Sequence, residues 1–74
     1  MDYSNMIKRY RVDVHKNPHS YLWTAGTFDD LDKADEKARR SRDYGYTTVT
    51  EFTYDNERLI NTRTVKEYYK DNMS

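Results

Sequence analysis

Asp29-Asp30-Leu31-Asp32-Lys33-Ala34-Asp35-Glu36-Lys37-Ala38-Arg39-Arg40-Ser41-Arg42-Asp43 is the stretch that decides the fold. Leu31, Ala34, Ala38 and Ser41 recur at the three-and-four spacing of an α-helix. Asp29 stands where an N-cap carboxylate accepts hydrogen bonds from the free amides of a first turn. Asp30 and Asp32 follow where the helix dipole favours negative charge, and Lys37, Arg39, Arg40 and Arg42 fall toward the end where it favours positive charge. Asp35–Arg39, Glu36–Arg40 and Arg39–Asp43 are opposite-charge pairs four apart, each contributing about 0.2–0.5 kcal/mol. Gly45 fits the left-handed position just past a helix end. The spacing predicts one helix over about residues 30–43. Its narrow face of small residues lets it sit close to a sheet whose large side chains supply the volume.

The flanks read as strands. From Met6 to Val14, Tyr10, Val12 and Val14 alternate with Arg9, Arg11 and Asp13, the period of a half-buried strand. Lys16, Asn17, Pro18 and His19 make a turn. Ser20 to Phe28 carries Tyr21, Trp23 and Ala25 on one parity and Leu22 and Thr24 on the other, with Gly26 at a bulge or strand end. After the helix, Tyr46 to Tyr54 has strand composition. Asp55, Asn56 and Glu57 turn the chain, Asn56 being suited to positive φ. Arg58 to about Lys66 forms a fourth strand, with Leu59 and Val65 on one parity and Ile60 on the other. Residues 1–5 and 67–74 are expected to fray or to dock loosely, the latter through Tyr68 and Tyr69.

The expected fold is therefore α+β, in the order ββαββ: a four-stranded antiparallel sheet with one helix packed on one face, forming a single domain over residues 1–74. Both parities of residues 46–54 carry Thr, so neither is marked as the one beneath the helix. One helix covers one face. The other must be solvated or meet something else.

Composition narrows the function classes. Hydrophobic residues are 35 % of the chain, against roughly 45–50 % in typical globular domains on a count that includes Gly. Aromatic residues are 15 %, eight of them Tyr, and the formal net charge is zero. Large rings bury about 150–250 Å² each, and disordered chains combine low hydrophobicity with high net charge, so a folded domain is expected. Residues 1–28, 29–45 and 46–74 carry +2, −1 and −1. Charge this evenly spread leaves no strong footprint for a polyanion. No Cys is present, which excludes disulfides, thiolate zinc sites and a cysteine nucleophile. Met1-Asp2-Tyr3-Ser4-Asn5 does not open a secretory leader, and no apolar run reaches membrane-spanning length. Cytoplasmic residence without membrane contact is the expectation.

No residue set defends a reaction. His15 and His19 are four apart, but Pro18 between them removes the helical context in which two imidazoles share a metal. Asp29, Asp30, Asp32, Asp35 and Glu36 suit helix capping better than a general-acid pair or a magnesium site. Ser4, Ser20 and Ser41 lack a nucleophile-elbow context, and two Gly cannot build a phosphate loop. The chain is read as non-enzymatic, without cofactor or metal. Arg9, Arg11, Tyr21, Trp23, Arg58 and Arg63 remain as candidate interaction residues, because Tyr, Trp and Arg are enriched at binding hot spots.

Thr27-Phe28-Asp29-Asp30-Leu31-Asp32-Lys33-Ala34, continuing through Ala38, Tyr44-Gly45-Tyr46 and a Thr-rich strand, resembles a pattern in small single-domain proteins, many encoded by bacteriophages or mobile elements. The resemblance spans roughly residues 20–65 and carries over no functional residue. It admits the role of an accessory or inhibitor protein binding a host enzyme or defence complex, in the host cytoplasm. The expected function is thus a protein-interaction module working through its sheet face or an edge strand, with a second copy of the chain as one partner. The alternative is a nucleic-acid-binding domain that stacks bases on Tyr21 and Trp23 and holds phosphates with Arg9, Arg11 and Arg63.

Overall fold

A computed structural model describes residues 6–17 and 20–70. Strands β1 (Met6–His15) and β2 (Trp23–Phe28) precede helix α1 (Leu31–Ser41), and strands β3 (Tyr46–Asp55) and β4 (Arg58–Tyr68) follow it. The strands form one antiparallel sheet in the order β2-β1-β3-β4. This is the expected ββαββ fold. The two hairpins meet along β1 and β3, the central strands, which leaves β2 and β4 as edges. Among the described residues no helix is long and apolar enough to cross a membrane.

The register settles which parity lies beneath the helix. Tyr10, Val12 and Val14 pair with Glu51, Val49 and Thr47, and this face packs on Ala34 and Ala38. The most aromatic parity of β3 (Tyr46, Phe52, Tyr54) therefore faces away from the helix. The small helix face does sit close to the sheet, but what lies directly under it is also small. Val12, Val14, Val49 and Thr47 are the largest fully buried side chains. The larger Phe28, Leu31, Val65 and Tyr68 pack around the cluster and stay partly buried.

Several local expectations need correction. The N-cap is Asp30, whose carboxylate accepts from the Asp32 amide at 3.1 Å, one residue later than expected. The helix also ends earlier, at Ser41. Asp35–Arg39 and Glu36–Arg40 form at 3.2 and 2.9 Å, so Arg39 spends its charge on the preceding turn. Gly45 does not adopt positive φ. It is required for another reason: a Cβ there would stand 2.2 Å from the His15 carbonyl oxygen, where β3 enters beside β1. Strand β2 starts at Trp23 rather than Ser20, and Gly26 adjoins the register shift between Val12 and Asp13. Strand β4 runs to Tyr68, past the expected Lys66, because the Tyr68 hydroxyl donates to Asp35 and ties the strand end to the helix. Pro18 and His19, placed in the β1–β2 turn, lie outside the described residues, as do 1–5 and 71–74. Asn56 does take positive φ (55°), and Glu57 joins it at 71°.

Candidate interaction surface

The face turned away from α1 is built by the second parity of each strand. Ile7, Arg9, Arg11, Asp13 and His15 of β1 lie across from Tyr54, Phe52, Thr50, Thr48 and Tyr46 of β3. Among the described residues the helix lies on the other side, and on this face Asp13 and Thr48 are buried by their neighbours in the sheet.

At one end of this face four rings run in a row. Tyr21 meets His15 edge-on at 5.9 Å between centroids, His15 meets Tyr46 at 5.5 Å, and Tyr46 meets Tyr69 at 4.9 Å. The His15 imidazole is fixed at both nitrogens. Nδ1 lies 2.9 Å from the Ser20 carbonyl oxygen, which can only accept, so Nδ1–H donates. In the neutral ring Nε2 then accepts from the Thr48 hydroxyl at 3.3 Å. Burial, followed by the hydrogen bond and negative charge of Glu67, pushes the Tyr46 phenol up to about 12. Tyr21 and Tyr69 remain 57 % and 60 % exposed and present the outer rings of the row.

A polar chain orders the middle. Thr24 donates its single hydroxyl proton to Asp13 at 2.7 Å, so the Tyr21 hydroxyl donates to Thr24 at 2.6 Å. Asp13, buried, also accepts from Arg11 Nε at 2.9 Å. The Arg11 guanidinium lies 4.9 Å from the centroid of Phe52. At the far end, Ile7, Arg9, Tyr54 and Glu57 line an open groove of about 350 Å³.

The six residues expected to act together are divided by the sheet. Arg9, Arg11 and Tyr21 lie on the open face. Trp23 pairs with Val14 on the helix side, its ring edge-on to Tyr44 at 5.8 Å. Arg63 points to the helix side as well, donating to Glu51 at 3.0 Å. Arg58 pairs across from Asp55 at the hairpin end, a register position of the helix-side parity. The cations proposed to hold phosphates thus occupy two faces, and Arg11 already spends its charge on Asp13.

Reading residues singly passed over two features. The ring row draws on His15, Tyr46 and Tyr69, which gather only once the register is known. Glu51 is buried beneath the sheet's helix side, between Tyr10, Arg63 and Lys8. Burial alone would raise its pKa, but the Arg63 hydrogen bond, the Lys8 charge and the Tyr10 hydroxyl outweigh that and hold it below the ordinary carboxylate value. Burial and then Glu51 push the Tyr10 phenol up. Its signal in the sequence was a lone acid on a Thr/Val parity. Among the described residues no group of three or more His, Asp or Glu gathers to hold a metal. No protein-family model matches the chain, and no curated protein and no solved structure matches it either.

Proposed function

We propose that this protein works by contact, as a non-enzymatic interaction module that uses the open face of its sheet. The observation that carries the reading is the ring row Tyr21–His15–Tyr46–Tyr69. It is held in place by Ser20, Thr48 and Glu67, yet its outer rings are more than half exposed. Rings already ordered before binding lose little freedom on contact, which raises affinity for a given area. Tyr supplies large amphipathic contact at low entropic cost. An accessory or inhibitor role against a host enzyme, in the cytoplasm, suits a chain of this size and neutral charge.

The test is affinity capture with the tagged chain and with a Tyr21→Ser/Tyr69→Ser variant, each followed by mass spectrometry. Both positions are exposed, so the variant keeps its circular dichroism spectrum. The reading expects a partner retained by the parent chain and lost by the variant. An identical set captured by both, or none by either, contradicts it.

A further inference from the structure

The turn joining β3 to β4 contains an anomaly. Asp55 pairs with Arg58, and the two residues between them, Asn56 and Glu57, both have positive φ. This two-residue turn ordinarily takes Asn-Gly, because left-handed backbone crowds a Cβ against its carbonyl. Glu57 occupies the Gly position at φ 71° and lines the groove together with Ile7, Arg9 and Tyr54. Strain of this kind points toward a function for the side chain that causes it.

The groove has a particular charge pattern. Arg9 and Glu57 line it together, and among the described residues neither forms an ion pair. Between them lie Ile7, 51 % exposed, and Tyr54, with Leu59 paired beside Tyr54 and half exposed. A patch with one cation, one anion and an apolar floor offers an acidic or a basic ligand one attraction and one repulsion. It is complementary to itself. Two-fold pairing sets residue i against j and j against i, so both charges are satisfied at once. The chain's zero net charge adds no long-range repulsion between copies.

We propose that two copies of this chain dock groove to groove about a two-fold axis, Arg9 of each facing Glu57 of the other around the apolar contact of Ile7 and Leu59. This rests on the contact reading above and assigns its bare end to self-association, leaving the ring row for a different partner.

Sedimentation velocity over a concentration series tests it, using the full chain and the variants R9E, E57R and R9E/E57R. The parent chain associates reversibly. Each single reversal places two like-charge contacts across the axis and weakens the dimer by about tenfold. The double reversal restores opposite charges and returns affinity to within about threefold of the parent. Glu57→Gly, which relieves the backbone, weakens the dimer while the monomer melts no earlier. A parent chain that stays monomeric throughout overturns the proposal, as does a double reversal no better than the singles or a Glu57→Gly chain that pairs as the parent does. A monomeric chain whose partner capture still depends on Tyr21 and Tyr69 overturns the pairing and leaves the contact reading standing.

Discussion

The two ends of the sheet are made from the same strands and live under different physics. Where α1 crosses, Val12, Val14 and Val49 are fully buried, and Ala34 and Ala38 of the helix pack with Val12 and Val49. Beyond the row of Tyr10 and Glu51, Met6, Ile7, Leu59 and Ile60 are each about half exposed. An eleven-residue helix is about 16 Å long, whereas a ten-residue strand runs about 33 Å. The helix cannot reach the sheet's far end, and the molecule is accordingly long, 55 × 22 × 15 Å. On its helix side one end holds the fold, whereas the other carries half-exposed apolar side chains beyond the helix's reach.

If that division is right, the largest effects come from the covered end. Gly45→Ala forces a Cβ against the His15 carbonyl where β3 enters beside β1, and the strand must shift. A loss of about 3 kcal/mol is expected by urea unfolding.

Glu51 sits at the boundary between the ends. Its carboxylate is buried, but the side chains of Arg63 and Lys8 are 63 % and 50 % exposed and can return to water. Glu51→Ala therefore costs about 1–2 kcal/mol rather than the full penalty of stranding a buried charge. Its pKa is held down in the fold, so its contribution is present above the unfolded value of about 4.3 and lost as pH falls through the folded value. Tyr10 and Tyr46 are raised, so their contributions hold below about 10 and are lost as pH climbs, for Tyr46 through about 12. Melting temperature against pH should show a plateau with two falling limbs, and Glu51→Gln should flatten the acid one.

The smallest effect belongs to the bare end. Leu59→Ser is expected to change monomer stability by less than about 0.5 kcal/mol, read from the same urea curves at dilute protein. A loss as large as that at Gly45 would erase the distinction between the ends.

The sequence makes the helix and the strand count legible because each rests on local chemistry: spacing, caps and β-branched runs. The helix-side parity of β3 is not legible in the same way. Both parities carry Thr and neither stands out; Thr47, Val49, Glu51 and Thr53 form the inner one, beneath a helix of Ala34, Ala38 and Ser41 that leaves little depth. Glu51 is tolerated there only through partners on β1 and β4, which no local pattern announces. The candidate site was half visible for a related reason. Arg9, Arg11 and Tyr21 share the open face, but Trp23 and Arg63 fall behind the sheet once bulges shift the edge strands. Gly45 suggests a left-handed turn in the sequence but has no positive φ; its lack of a Cβ serves the close approach to the His15 carbonyl, which no local pattern announces.

The division between a holding end and a meeting end is tested most directly by amide chemical shifts recorded across a dilution series. The account predicts concentration-dependent shifts confined to Ile7, Arg9, Tyr54, Glu57 and Leu59, with Ala34, Ala38, Val12 and Val49 unmoved. Shifts centred on the outer surface of α1, or none anywhere up to millimolar protein, would contradict it.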